Sequence, residues 1–456
     1  ADELQALLEG NASRVIVTCR TAAEGGRYTG DEATRLALLA AAAEMGVLAV
    51  DVEIDTPQKD WPGGTVILSH HDFNTMPADL DSQAATMDAS PAAVNKIAFK
   101  AAGPEDALAA LDVVRNCTKP SIVLAMGQAG QISRLLAGKV GAYGTFAALG
   151  KGAESAPGQP TLREFKELYR WDALTRECEV YGVIGCPVGH SLSPAIHNAA
   201  FAATGRDAIY VPVLIEPGEE NFTRFMDALL ARPWLNWRGL SVTIPHKENA
   251  MMFTGRENCD QLSRQISAIN TIAISPEGTL RGRNTDYAAA IDALCNAMQI
   301  TREGLADKCV AVLGAGGAAR AIVAALAHYG ARTIIYNRTL ARAEQLADEF
   351  AATAQTMDAA AQTNAKIIIN CTPIGMHPNV DASPLEQIPP SVQVVFDTIY
   401  NPVETKLLAL ARQAGLTVVS GMEMFVNQAV AQFEFWTDQP APRDIMRDVV
   451  IKSLSR

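Results

Sequence analysis

Lys96 sits in an otherwise apolar run, Val94-Asn95-Lys96-Ile97-Ala98-Phe99. Burying an ammonium is costly, so desolvation should lower its pKa and turn the amine into a nucleophile. Other titratable groups stand at the ends of neighbouring β-rich runs. Arg20 and Glu24 follow residues 14–19, His70 and His71 follow 65–69, and Ser133 and Arg134 follow 121–125. A lysine that can form an imine, His71 to move protons, and Arg20 and Arg134 to hold a carboxylate suit Schiff-base chemistry on a keto acid. The plainer alternative for Lys96 is an edge lysine whose head reaches water.

A second constellation lies further on. Ser191 and Ser193 put two hydroxyls in a turn before a helix. Lys247 lies just past a strand in Ser241-Val242-Thr243-Ile244-Pro245-His246-Lys247, and Asn270 and Asp286 add an amide and a carboxylate. Hydroxyls and amides can hold the OH groups of a small polyol acid, and a Lys/Asp pair can move a proton. Behind them, residues 309–320 read as strand, tight turn and helix start. Gly314, Gly316 and Ala319 fill G-x-G-x-x-G/A, the pattern that seats a pyrophosphate on a helix N-terminus. The next strand ends in Asn337-Arg338-Thr339. An NAD site usually places a carboxylate there; a guanidinium and a hydroxyl suit the 2′-phosphate of NADP.

Residues that act together need a scaffold. The chain has 456 residues, enough for two to four domains at roughly 100–200 each. Short β-rich runs alternate with Ala/Leu-rich helical stretches, the mark of βαβ units and parallel sheets. The small-residue stretch 150–160, followed by a polar helix-like segment over 161–176, sets a boundary near 175. A second change falls near 300. The expected divisions are 1–175, 176–300, 301–420 and 421–456. The formal charge of −12 argues against nucleic acid or an anionic membrane as main partner. No apolar run spans a membrane, and residues 1–13 do not read as a signal peptide, so the expected compartment is the cytoplasm or an organelle lumen. The first residue is Ala rather than Met, as expected if residues upstream have been trimmed. Eight scattered cysteines without a CxxC pair read as reduced thiols, and the histidines lack metal-ligand spacing, so no metal is expected.

From about residue 180 onward the chain resembles shikimate dehydrogenase. The likeness runs through GxPVxHSxSPxxHN, TIPHK, AINT, NTD, GAGGAAR and NRT, then through residues 370–376, 397–402 and 421–429. That resemblance implies an α/β substrate domain and a Rossmann NADP domain. It implies Lys247 and Asp286 as acid/base pair, Ser191, Ser193 and Tyr400 near the substrate carboxylate, and Thr243, Asn270 and Gln428 on substrate hydroxyls. Gly314, Ala315, Gly316, Gly317, Ala318, Ala319, Asn337, Arg338, Thr339 and Arg342 would hold NADP, with Thr372 and Gly421 beside it.

The first segment resembles type I 3-dehydroquinate dehydratase through VTCRTxxEGG, DVE, SHHDF, NKIA, GQISR and SAPGQP. That likeness implies a (β/α)8 barrel, Lys96 as imine-forming lysine, His71 as base and acid, and Glu24 positioning the histidine. Arg20, Arg134, Ser155 and Gln159 would contact substrate. The family's barrel begins with two strands ahead of the first one found here. Only six strand candidates appear, near residues 15, 50, 67, 97, 123 and 145. The expectation is therefore an incomplete barrel, with dehydratase activity weak or absent in this chain alone unless another copy or segment completes it. Together the two likenesses imply a fused shikimate-pathway enzyme acting on 3-dehydroquinate, 3-dehydroshikimate and shikimate, cytoplasmic or, in a photosynthetic eukaryote, plastidial. The alternatives are an NAD-dependent quinate dehydrogenase, or a dehydrogenase whose first segment is only a scaffold.

Overall fold

A computed structural model describes residues 2–189 and 191–454; His190 of the serine motif lies outside them. The chain divides into two compact units, Ala1–Ser191 with Asp207–Trp237, and Leu192–Arg206 with Arg238–Arg456.

In the first unit β1 (Ile16–Thr18), β2 (Ala49–Glu53), β3 (Val66–Asp72), β4 (Val94–Lys100) and β5 (Ser121–Met126) pair in parallel, in chain order. Helices cross over between most of them. Asp31 accepts a hydrogen bond from Thr34 N and starts the helix Glu32–Glu44. Pro104 and two acids open the helix Pro104–Asn116, which buries Leu108, Leu111 and Val114. β2 and β5 are buried along their whole length, and β4 everywhere except Lys100, as parallel strands covered on both faces are.

Two expectations fail here. The sixth strand, near residue 145, does not form: the stretch pairs only through an isolated bridge between Ala148 and Thr161. Gly141, Gly144 and Gly150 interrupt it, and glycine weakens a strand. Its Phe146 nonetheless packs against the sheet. The segment 161–176 is likewise no continuous helix. A π-turn, Glu164–Leu168, gives way to Arg170 at φ 54° and a short 3-10 turn, Trp171–Ala173. Among the described residues the five strands form an open sheet, not a closed barrel. The unit also contains the parallel pair β6 (Glu179–Gly185) and β7 (Ala208–Leu214).

In the second unit, which takes up β8 (Trp237–Val242) from Arg238 on, β8, β9 (Thr271–Ile274) and β10 (Leu280–Arg283) form antiparallel ladders. The remaining strands are β11 (Cys309–Leu313), β12 (Arg332–Asn337), β13 (Thr353–Thr356), β14 (Ile367–Asn370), β15 (Val394–Asp397) and β16 (Thr417–Ser420). They make one parallel sheet in the order β13-β12-β11-β14-β15-β16. Read from β11 as the first strand this is 3-2-1-4-5-6, the doubly wound dinucleotide order. Among the described residues no helix is long and apolar enough to cross a membrane.

Candidate active sites

One face of the first sheet is built in two layers. Ala49, Ile67, Val94, Ile122 and Leu124 form an apolar floor with Ile16 and Phe146 packed against it. Side chains two residues further along each strand point the same way. Those are Asp51, Ser69 and Lys96, with Glu53 and His71 two residues beyond Asp51 and Ser69. The register aligns Glu53 with Ser69 and Ser69 with Lys96. A polar layer thus rests on an apolar floor at the C-terminal ends of the strands, the position of a barrel active site.

The distances show a dense charge network. Asp51 takes Lys96 Nζ at 2.9 Å, Arg20 Nη2 at 2.6 Å and the Ser69 hydroxyl at 2.5 Å. Burial alone would raise the Asp51 carboxyl, but the charges of Lys96 and Arg20 hold it below its usual range. Burial pulls the Lys96 amine down; Asp51 opposes that and Arg20 reinforces it. Lys96 Nζ also lies 4.8 Å from the Phe146 ring centre. The lysine is only 8% exposed, so the edge-lysine alternative is set aside.

Glu24 Oε2 lies 3.0 Å from His71 Nδ1, which leaves Nε2 as the working nitrogen. Burial would raise Glu24, yet its contacts with His70 and His71 and the charges of His71 and Arg20 hold it at about 2. Burial pulls His71 below its ordinary value, Glu24 pulls back, and Lys96 and Arg20 push it down further. Arg20, expected on the substrate, is held by carboxylates: Glu24 at 3.1 Å, Asp51 at 2.6 Å and Glu53 at 3.4 Å.

Arg134 is 2% exposed, its Nε has no hydrogen-bond partner, and burial pulls it down to about 10. The Ser155 N–H and hydroxyl both donate to Gln159 Oε1, at 2.9 and 3.2 Å. These two line a cavity of about 650 Å³ with Gln128 and Lys151, a cavity to which Lys96 and His71 do not contribute.

In the second unit Lys247 begins the helix Lys247–Thr254, five residues past the end of β8. Its Nζ lies 2.5 Å from Asp286 Oδ2. Asn270 Nδ2 donates to the other oxygen of Asp286 at 2.9 Å and to Thr285 Oγ1 at 3.1 Å. Asn284 caps the helix Thr285–Met298 by accepting from Asp286 N, which fixes the carboxylate's root. Thr271 donates to Asn270 Oδ1 at 2.8 Å, and Gln432 Nε2 donates to Thr271 Oγ1 at 3.2 Å. The structure thus joins Lys247, Asn270 and Asp286.

Tyr400 stacks on Phe425 at 4.5 Å, and burial pushes its phenol up. Gln428 Nε2 donates to Phe425 O at 3.1 Å. Thr243 is half-buried in the turn after β8, where its carbonyl accepts from His246 N. Ser193 opens the helix Ser193–Ala203 and is buried. Ser191 belongs to the first unit, where its N–H donates to Val188 O at 3.1 Å.

Pairing across the six-stranded sheet puts Tyr336, Leu313, Asn370, Asp397 and Ser420 in one row. The residues just beyond that row include Asn337, Gly314, Thr398 and Gly421, with Thr372 two positions past Asn370. Dinucleotides bind at this carboxyl edge of an open α/β sheet. Gly314 has φ 106°, a conformation side chains avoid. Gly316 and Gly317 have no neighbouring atom within 4 Å of where a Cβ would stand, which leaves room for a phosphate to approach the backbone. Ala315 lies in the same turn, Ala318 opens the helix Gly317–His328 beside Gly317, and Ala319 is fully buried against the sheet. Arg338 and Thr339 are exposed past β12, Asn337 Nδ2 donates to Thr339 O at 2.8 Å, and Arg342 is exposed one turn into the next helix. These residues fit NADP.

Sequence reasoning missed several supports: Asp51, Glu53 and Ser69 around Lys96, and Thr271, Thr285, Gln432 and Asp397 in the second unit. Asp51 and Glu53 carried a signal, two carboxylates at i and i+2 in an apolar strand. Gln432 also had one, lying four residues after Gln428 on the same helix face.

Comparison with known proteins bears on each segment. A model described as type I 3-dehydroquinase matches residues 2–176. The shikimate dehydrogenase substrate binding domain matches 183–272, shikimate / quinate 5-dehydrogenase 296–418, and the shikimate 5′-dehydrogenase C-terminal domain 421–451. A bifunctional 3-dehydroquinate dehydratase/shikimate dehydrogenase, chloroplastic, from Arabidopsis thaliana is 34% identical over 99% of this chain and 77% of its own length. A shikimate dehydrogenase (NADP(+)) from Methanosarcina acetivorans is 40% identical over 60% of this chain and 98% of its own. The solved shikimate 5-dehydrogenase of Thermus thermophilus, in complex with NADP(H) and shikimate, superimposes with a TM-score of 0.53 at 30% identity. It covers 60% of this chain and 100% of that one.

Proposed function

Because this chain belongs to the family of bifunctional 3-dehydroquinate dehydratase/shikimate dehydrogenases, we propose that the Lys96 face of the first sheet carries the dehydratase step and that Lys247 and Asp286 carry the dehydrogenase step. It is a shikimate-pathway enzyme that converts 3-dehydroquinate to 3-dehydroshikimate and reduces that product to shikimate, with NADP as cofactor. In this reading residues 1–175 form the dehydratase part, 176–300 the substrate domain, 301–420 the cofactor domain, and 421–456 helices returning to the substrate domain.

In the first step the Lys96 amine attacks the substrate ketone carbon and, with loss of water, forms an imine. Asp51 holds the ammonium beforehand and is placed to receive its proton. The protonated imine acidifies the adjacent carbon. His71 Nε2 takes a proton from that carbon, with Glu24 fixing the ring through Nδ1, and returns it to the departing hydroxyl, which leaves as water; a second water then hydrolyses the imine, releasing 3-dehydroshikimate and restoring the Lys96 amine. Arg134, buried with an unpartnered Nε, is the group available for the substrate carboxylate. Arg20 serves mainly to hold Asp51, Glu24 and Glu53, and Ser155 and Gln159 cover the substrate from their loop.

In the second step bound NADPH supplies the hydride that reduces the ketone. Lys247 meets the charge that gathers on the ketone oxygen and donates the proton. Asp286 holds Lys247 and a neighbouring substrate hydroxyl. Thr243, Asn270 and Gln428 bind the other hydroxyls, and Ser191, Ser193 and Tyr400 the carboxylate. The turn Gly314, Ala315, Gly316, Gly317, Ala318 and Ala319 takes the pyrophosphate. Asn337, Arg338, Thr339 and Arg342 would also hold NADP, Arg338 and Thr339 suiting its 2′-phosphate, and Thr372 and Gly421 would lie beside the cofactor. Arg338, where an NAD enzyme would carry a carboxylate, favours this reading over an NAD-dependent quinate dehydrogenase. The chloroplastic name of the Arabidopsis relative supports a plastid location, with the cytoplasm as the other.

The observation that carries the proposal is the Lys247–Asp286 contact with Asn270 on the free carboxylate oxygen. The test is a one-pot assay with 3-dehydroquinate and NADPH, followed by borohydride. Shikimate formation together with a reduced adduct on Lys96 is expected. Reduction of added 3-dehydroshikimate without any Lys96 adduct would leave the dehydrogenase and sink the dehydratase.

A further inference from the structure

The dehydratase chemistry uses one histidine, but Glu24 faces two. Its Oε2 lies 3.0 Å from His71 Nδ1, and its Oε1 lies 3.4 Å from His70 Nδ1. Neither Oε1 nor His70 Nδ1 has an aligned hydrogen bond, so the second contact acts through charge. The His70 side chain is 24% exposed against 10% for His71, so His70 exchanges protons with water more freely.

We propose that His70, as a cation, offsets the Glu24 carboxylate and so keeps His71 in the neutral form that can accept a proton. His70 is then a positioning residue that sets charge, not one that touches substrate. The inference rests on the dehydratase reading above. The charges around both rings agree with it. His70 faces Glu24, Asp72 and Asp55, all anions, and Glu24 above all raises its pKa. His71 is lowered by burial; of the charges it faces, Glu24 and Asp51 raise it and Lys96 and Arg20 lower it. With Lys96, Arg20 and a charged His70 all near Glu24, its negative charge is largely matched and His71 stays a free base. When His70 loses its proton, Glu24 is unmasked and His71 becomes more basic. The two rings therefore titrate as a coupled pair.

The test is an NMR titration of the imidazoles in the full chain, with His71→Asn used to assign its signals. In the wild type, the His71 signal should show a second inflection at the His70 midpoint; a single smooth transition overturns the proposal. In His70→Asn the His71 midpoint should rise by about one pH unit. In His70→Lys, which keeps the cation, it should stay near the wild-type value. The acidic limb of kcat for 3-dehydroquinate dehydration should move upward with it in His70→Asn alone. An unmoved midpoint in His70→Asn, or an equal rise in His70→Lys, refutes the role. Borohydride trapping separates the two claims: a wild-type chain that fails to label at Lys96 loses the dehydratase reading, and the titration still decides whether His70 tunes His71.

Discussion

Replacing Glu24 by Gln removes one negative charge and little else, because the amide keeps the size of the carboxyl and can still accept from His71. The carboxyl is held at about 2, against its ordinary 4.5. At about 1.4 kcal/mol per pH unit, ionised Glu24 contributes about 3 kcal/mol of stability at neutral pH. Its side chain is 10% exposed, so water screens little of that. The folded value lies below the unfolded one, so the contribution is complete above about pH 4.5 and is lost as the pH falls towards 2. Urea unfolding followed by tryptophan fluorescence reports chiefly on the first unit, which holds Trp61, Trp171, Trp234 and Trp237, while the second holds Trp436. Glu24→Gln should lower the stability of that unit by about 3 kcal/mol at pH 7, with the gap closing as the pH is taken from 4.5 down to 3. A gap under about 1 kcal/mol at pH 7, or one that does not change with pH, would refute the electrostatic account.

Lys247→Ala should cut 3-dehydroshikimate reduction by about 10²–10⁴-fold while NADPH affinity holds, as seen by stopped-flow and cofactor titration. Arg338→Ala should weaken NADPH binding by about 10–100-fold and leave NADH binding unchanged, because only the former carries the 2′-phosphate; equal losses for both would remove Arg338 from that role. Gly421→Ala should lower the melting temperature of the second unit. Its Cβ would stand 2.4 Å from the Ile399 carbonyl oxygen, and overpacking of this kind costs about 1–3 kcal/mol.

The parallel sheets, the dinucleotide turn and the side chains proposed as catalytic were legible because each follows a local rule. An amine in an apolar strand, a glycine turn after a strand, and a lysine past a strand end are all visible in a few consecutive residues. The network around Lys96 was less visible. Asp51, Ser69 and Lys96 meet only through the register of three strands, and register depends on which strands pair. The stretch around Phe146 misled for the opposite reason: its composition suits a strand, but a strand also needs a partner, and the structure gives it one bridge. Asp397 was overlooked because its neighbours, Asn370 and Thr405, come from separate segments; burial raises its carboxyl to about 6 with three hydrogen bonds in place of a cation.

The helix Gly421–Thr437 starts against the Thr398–Ile399 loop at the edge of the six-stranded sheet. Further along, Gln432 and Trp436 bond the Asn270 and Ile272 carbonyls beside β9. Its 17 residues make a rod of about 25 Å anchored at both ends. The spacing between the edge of the six-stranded sheet and β9 is thereby gauged by a stiff strut, so a one-residue insertion would rotate one anchor by about 100° and throw the two supports out of phase.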